Sequence, residues 1–195
     1  MVFLIDGTED VTTPHFNGMR NLVLNTIYGY NLGPSSTRVA IGVYGVLNEI
    51  GSFTTQFSHD KNELAVFLSG MNRVGGKREM GAALDFAMNR YGGGSSTSSQ
   101  KKQVYIMFTT GSNQLIDMQR FSSVVERLEN AGNELFLVAL GNSVDLSQYL
   151  DVIVSQRNLF NAVNLNALPD FLHQLLILNM PVAGTLLLFI GSEEN

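Results

Sequence analysis

The chain has 195 residues, of which 45% are hydrophobic and 15% are charged, and its formal net charge at pH 7 is -5. This length suits one well-cored domain, and the composition excludes a disordered chain. The negative charge and the lack of basic runs exclude a nucleic-acid binder as the expected class. No apolar stretch approaches the about 20 residues of a spanning helix, so we expect no contact with a membrane.

The first third of the chain reads as strand, helix, strand. Residues 1–5 (MVFLI) form a continuous apolar run, which is typical of a strand buried on both faces. Apolar residues then recur at three- and four-residue steps from Phe16 to Tyr30 and predict an amphipathic helix. Residues 38–44 predict a second strand. Residues 52–57 are more polar and alternate, and they predict an antiparallel edge strand beside it.

The rest of the chain continues the alternation. Two predicted helices, starting at Asp60 and Met80, flank a glycine loop at 74–76. The further predicted strands are 103–108, 134–140 and 160–163, and the further predicted helices are 116–130, 146–152 and 168–176. This order predicts a Rossmann-like doubly wound α/β domain. It has a mostly parallel central sheet with one antiparallel edge strand and helices on both faces.

Ligands of such sheets bind beyond the carboxyl ends of the strands. Three loops should meet there, at residues 6–10, 75–80 and 109–112. They carry carboxylates, hydroxyls and one arginine, Arg78, between a lysine and a glutamate. The three histidines lie in separate segments without the spacing of metal ligands, and we predict no catalytic residue.

The order of elements and the three loops resemble the von Willebrand factor A (VWA) domain over residues 1–180. The stretch FLIDGTED resembles the family's first metal motif, Asp-x-Ser-x-Ser, with Asp6, Thr8 and Asp10 at the three side-chain positions. The stretch GGKREMGAALDFA resembles the family's glycine-rich stretch, but Arg78 stands where the metal-binding threonine belongs.

The third loop also lacks one of the metal ligands of the family motif. VYIMFTTGSNQ is similar to the family's fourth-strand signature, with Thr109 matching and Thr110 where the second aspartate belongs. The resemblance implies that a complete motif holds a divalent cation through oxygen ligands. Here we expect a degenerate metal site at the partner-facing edge, without bound Mg²⁺, Mn²⁺ or Ca²⁺. Any ion that did bind would use Asp6, Thr8 and Asp10.

Arg78 carries the hypothesis for this site, because its guanidinium stays protonated at every useful pH. We expect it to act as a fixed internal cation that bridges Asp6, Asp10 or Glu9. The alternative is that Arg78 points to solvent and that the site is empty or hydrated.

The two ends of the sequence resemble each other. TLLLFIGSEE at 185–194 repeats the pattern of MVFLIDGTED at 1–10, with Ile190 in the place of Asp6. This predicts a domain at 1–180, followed at 181–195 by a linker and the first strand of another VWA-like repeat. An extra edge strand of the same domain is the alternative. We also expect self-association through residues 185–190.

Tandem VWA domains with degenerate metal motifs resemble the N-terminal regions of collagen VI-type matrix proteins. The resemblance implies a secreted, non-enzymatic module of the extracellular matrix that contacts collagen, other matrix components or neighbouring VWA repeats and assists filament assembly. A metal-dependent adhesion domain is one alternative. A small-anion or nucleotide-binding α/β enzyme is the other, and its candidate residues would be Asp6, Asp10, Arg78, Thr109 and Thr110.

Overall fold

The structure is a computed structural model that describes residues 1–45, 53–92, 102–110, 115–140, 147–150, 152 and 159–162. The strands are β1 (Val2–Asp6), β2 (Ala40–Tyr44), β3 (Val104–Thr110), β4 (Glu134–Leu140) and β5 (Leu159–Ala162). The helices are α1 (Thr13–Gly29), α2 (Lys61–Gly70), α3 (Met80–Tyr91), α4 (Met118–Asn130) and α5 (Ser147–Leu150). The predicted helix at 168–176 and the predicted repeat at 181–195 lie outside the described residues, as do Gly111 and Ser112.

The five strands form one sheet in the order β2-β1-β3-β4-β5, and every neighbouring pair is parallel. Val2 of β1 pairs with Ala40 on one side and with Tyr105 on the other. In the sheet, β2 therefore lies on one side of β1, whereas β3, β4 and β5 follow on the other side. This confirms the predicted doubly wound fold, and it places the point at which the strand order reverses, where sheets of this kind bind ligands, at the carboxyl ends of β1 and β3.

The described residues do not form the regular antiparallel edge strand that was expected at 52–57. The segment 53–58 meets the β2 edge through two isolated antiparallel bridges, Val39–Ser58 and Gly42–Phe53. Four residues lie between the bridge positions on one side and two on the other, so a regular ladder cannot form between them. The ring of Phe53 packs directly over Gly42, where a Cβ would overlap it.

Two hydrophobic cores cover the sheet, one on each face. Phe3 and Ile5 of β1 point into the core that contains α1 and α2, whereas Val2 and Leu4 point into the core that contains α3 and α4. Burial of one such side chain contributes about 1.5 to 3 kcal/mol. Coverage of both faces explains why the strand sequences are continuous apolar runs. Within the described parts of the chain, no helix is both long and apolar enough to cross a membrane.

Side-chain caps fix where the helices on the first face begin. The Thr12 hydroxyl accepts a hydrogen bond from the backbone N–H of His15 at the start of α1. The Asp60 carboxylate accepts the backbone N–H groups of Asn62 and Glu63 at the start of α2. Each cap of this kind contributes about 1 kcal/mol. Together they fix the residues at which α1 and α2 begin.

Candidate functional site

The carboxylate of Asp6, the last residue of β1, is the centre of the site and is fully buried. Its Oδ1 accepts hydrogen bonds from the backbone N–H (3.1 Å) and the hydroxyl (2.7 Å) of Thr8. Its Oδ2 accepts from Arg78 Nε at 3.2 Å. The same oxygen accepts from the backbone N–H of Thr110 at 3.2 Å and the hydroxyl of Thr109 at 3.5 Å. Protein donors therefore engage both oxygens of this carboxylate.

The loop before α3 brings Arg78 to this position. Gly75 and Gly76 have φ angles of 71° and 75°, in the left-handed region that side chains disfavour. The backbone N–H groups of Val74 and Gly75 donate to the carbonyl of Gly7, and the Gly76 carbonyl accepts the N–H of Glu9. These bonds hold the loop across the end of β1, so the arginine enters the crevice between β1 and β3.

The Arg78 side chain is 1% exposed, and it contacts both central strands. Its Nε pairs with Asp6 of β1, and its Nη2 donates to the carbonyl of Thr110 at the end of β3. The same Nη2 lies 3.9 Å from Oδ2 of Asp10, whose side chain is 26% exposed. One buried cation thus joins the loop, the two strands and the rim of the site.

The electrostatics of the pocket keep its charges fixed. Burial is the largest influence and would lower the pKa of Arg78, but the charge and hydrogen bond of Asp6 and the interactions with Tyr44 and Tyr149 together raise this pKa above its ordinary value. Burial and the negative charge of Asp6 raise the pKa of Tyr44 well above its ordinary value. Tyr44 therefore stays neutral and donates to the carbonyl of Phe108 at 2.6 Å. The buried part of the site therefore pairs one carboxylate with one guanidinium, and Tyr44 adds a neutral donor.

The structure places the six residues predicted for this edge in one location. Asp6, Thr8, Arg78, Thr109 and Thr110 form a single hydrogen-bonded cluster, and Asp10 lies at its margin. The alternative in which the arginine points to solvent is wrong, because this side chain is buried.

Two oxygens at this edge or beside it form no hydrogen bond with the described residues. The Oγ1 atom of Thr110 is buried without a hydrogen-bond partner there, and the same holds for Oδ1 of Asp117. The described residues also contain no group of three or more histidine, aspartate or glutamate side chains that could hold a metal ion.

Three neighbours of the site were not predicted from the sequence. Asp117 Oδ2 accepts the backbone N–H of Ala82 at 2.8 Å and so caps α3 from a distant loop. Tyr44 ends β2 and supports β3, as described above. The hydroxyl of the fully buried Tyr149 lies 3.6 Å from the sulfur of Met80. The sequence signals for these contacts are weak: Tyr44 is an aromatic residue at a strand end, and Asp117 is the second residue of the predicted helix 116–130, although the observed helix begins only at Met118.

The fold is a doubly wound α/β domain whose strand ends bring together carboxylates, hydroxyls and one buried arginine. The sequence model of the von Willebrand factor type A domain matches residues 1–174, and the chain belongs to this family.

The chain is related to proteins of the extracellular matrix. It is 24% identical to the collagen alpha-1(VI) chain of Gallus gallus over 182 residues, covering 86% of this chain and 18% of that protein. It is 28% identical to matrilin-1 of Gallus gallus over 149 residues, covering 72% of this chain and 28% of that protein. The chain therefore spans less than a third of the length of these two relatives.

A solved structure shares the fold. Proximal thread matrix protein 1 from the mussel byssus, in a structure with zinc in its MIDAS (metal-ion-dependent adhesion site) motif, superposes with a TM-score of 0.71 at 17% identity. The match covers 91% of this chain and 44% of that chain.

Proposed function

We propose that this VWA domain is a non-enzymatic protein-interaction module of the extracellular matrix whose recognition does not require a metal ion. The observation that carries the proposal is the buried pairing of Arg78 with Asp6, at the position of the family's metal motif. In this proposal the guanidinium replaces the ion as the cation of the site.

The donor set at this edge does not suit a hard dication. Mg²⁺ needs near-octahedral oxygen coordination, and Ca²⁺ takes six to eight oxygen ligands. Asp6 already accepts five protein hydrogen bonds, and Thr110 supplies a neutral hydroxyl where the family has a carboxylate. A cation placed about 4 Å from the guanidinium would be repelled by about 4 kcal/mol per unit of charge at an effective dielectric constant of 20. A dication would have to displace the arginine before it could bind.

The same contacts argue against the enzyme alternative. Hydrolysis or group transfer at this edge would need a base beside a nucleophile. The hydroxyls of Thr8 and Thr109 both donate to Asp6, and that carboxylate is neutralised by Arg78. The candidate base, Asp6, and the candidate anion-binding group, Arg78, are thus paired with each other, so neither is available to a substrate.

Several observations support a role in matrix contacts. The relatives of the chain include collagen VI and matrilin-1, and the mussel byssus protein shares its fold. A rigid, internally neutralised edge can present its rim, including Glu9 and the half-buried Asp10, to a protein partner without a change of ligation. We propose an extracellular location, and as partners we propose collagen, other matrix components and neighbouring VWA repeats. We also propose that the domain ends near residue 180.

Surface plasmon resonance with immobilised collagen tests this function. The domain is injected in Mg²⁺ or Mn²⁺ and again in EDTA, and we expect the same dissociation constant in each buffer. Loss of binding in EDTA with recovery in Mg²⁺ would favour the metal-dependent alternative. A charge change at the rim, Asp10→Lys, tests whether this edge faces the partner. The matched control Glu126→Lys changes an exposed carboxylate on α4.

A further inference from the structure

A groove of about 530 Å³ lies at the β2 edge of the sheet, away from the arginine site. Residues 53–55, which lie beside the β2 edge, form one wall of the groove, and α2 forms the other. We propose that this groove is a self-association surface, in which Val66 of each of two copies of this chain enters the groove of the other. The proposal does not depend on metal-independent recognition, because it uses other residues on another edge.

The groove has an apolar floor and an apolar side chain that projects beside it. Phe53 is 8% exposed and Leu64 is 1% exposed, so both belong to the packed interior. Val66, which also lines the groove, is 71% exposed and is the most exposed large apolar side chain in the described part of the chain. A single exposed valine needs no explanation. Here, however, the exposed valine lies next to an apolar groove of the same chain. In a two-fold dimer, the valine of each copy can therefore pack into the groove of the other copy.

The charges on the rim favour a second copy as the occupant. Glu63 is held by the hydroxyl of Ser58, and Arg90 Nε donates to the carbonyl of Thr54 at 3.0 Å. The Arg90 guanidinium also lies over the ring of Phe86, 5.8 Å from its centroid. These contacts fix one acid and one base on the same rim, and no ion pair joins the two among the described residues.

Such a rim is complementary to itself. In a two-fold interface every contact occurs twice, with residue i against residue j and residue j against residue i. A two-fold axis across the groove can therefore bring Glu63 opposite Arg90 of the second copy, and the reverse pair follows by symmetry. Apolar burial supplies the affinity, and the two ion pairs select the partner and its orientation.

Analytical ultracentrifugation of the full chain over a range of concentrations tests the apolar contact. We expect a reversible monomer–dimer equilibrium in the wild type. Val66→Asp should weaken the dimer by at least about tenfold, because it puts a charge into the centre of the contact. The matched control Ile116→Asp changes another exposed apolar residue, 54% exposed, and should leave the equilibrium unchanged. Circular dichroism and the thermal midpoint verify that each variant is folded.

A charge exchange tests the partner. Glu63→Arg alone and Arg90→Glu alone should each be monomeric, because each places like charges opposite one another. A mixture of the two variants should form a heterodimer, because every pair is then opposite in sign. A monomeric wild type at its highest soluble concentration would overturn the proposal. So would a mixture that stays monomeric, or self-association that Leu188→Asp removes and Val66→Asp leaves intact.

Discussion

Arg78 Nε lies 3.2 Å from Asp6 Oδ2, and neither side chain is more than 1% exposed. A buried ion pair carries a desolvation cost, which only good geometry and additional hydrogen bonds offset. Here the aspartate accepts four further hydrogen bonds, from Thr8, Thr109 and Thr110. The ion pair therefore fills the crevice between β1 and β3 with protein groups that bind one another.

Removal of the arginine should destabilise the domain strongly. Arg78→Met leaves the Asp6 carboxylate buried without its cation, and we expect the free energy of unfolding to fall by about 3 to 5 kcal/mol. Urea denaturation measures the change. The double variant Asp6→Asn with Arg78→Met should lose less than the sum of the two single variants, since neither charge then remains unpaired. Additive losses would show that the two side chains do not stabilise each other.

Acid should remove the contribution of a second ion-pair cluster. Asp85 of α3 accepts hydrogen bonds from Arg120 and Arg127 of α4, which lower the pKa of Asp85 below its ordinary value. Because the folded state binds this proton less tightly than the unfolded state, the stabilisation is complete above about pH 4, the ordinary aspartate pKa, and is lost as the pH falls through the lower folded pKa.

The variant Asp85→Asn tests this dependence. Both arginines are more than half exposed, so we expect the variant to lose only about 0.5 to 1 kcal/mol at pH 7. Urea denaturation of the wild type and the variant from pH 7 to pH 3 should show two stability curves that converge at the acid end. A difference that stays constant over this range would contradict the assigned role of the carboxylate.

The sequence predicted the strands best where both faces are buried. Residues 1–5 and 134–140 were predicted as strands, and the structure has Val2–Asp6 and Glu134–Leu140. A strand covered on both faces needs only a continuous apolar run, which is visible locally. The edge segment 52–57 could not be predicted in the same way. Its pairing involves the packing of Phe53 over Gly42, a contact that the local pattern of neither segment indicates.

The chemistry of the site was predictable in part. The three loops place Asp6, Arg78 and Thr110 at the same edge, but they leave open whether the arginine pairs with Asp6, Asp10 or Glu9. The motif does not show that five donors converge on one carboxylate. It also gives no signal for Asp117, because that side chain caps a helix 35 residues earlier in the chain. Contacts between residues so far apart in sequence depend on how the helices pack, and a local sequence pattern does not indicate that packing.

The close approach of α3 and α4 beside the site depends on Gly81. A Cβ at this position would overlap the backbone nitrogen of Phe121 and would lie 2.8 Å from Oδ2 of Asp117. We expect Gly81→Ala to cost about 1 to 3 kcal/mol, because α4 must shift. In the matched control, Gly70→Ala, the new Cβ meets no atom within 4 Å. That variant should be neutral or more stable by up to about 1 kcal/mol. Equal effects of the two substitutions on the thermal midpoint would contradict this packing argument.

Restoration of the family's ligands should restore metal binding. The double variant Arg78→Thr with Thr110→Asp removes the internal cation and adds a carboxylate beside Asp6. We expect Mn²⁺ to raise the thermal midpoint of this variant and to leave that of the wild type unchanged, since only a ligand of the native state stabilises it. Arg78→Met is the control, because it removes the cation without adding an oxygen ligand. An equal shift in all three proteins would indicate a site elsewhere.

Isothermal titration calorimetry of the wild-type domain with Mg²⁺ and with Mn²⁺ tests the replacement of the ion by Arg78 most directly. We predict no saturable heat with either cation. A stoichiometric site of micromolar affinity, lost on Asp6→Asn, would contradict the account.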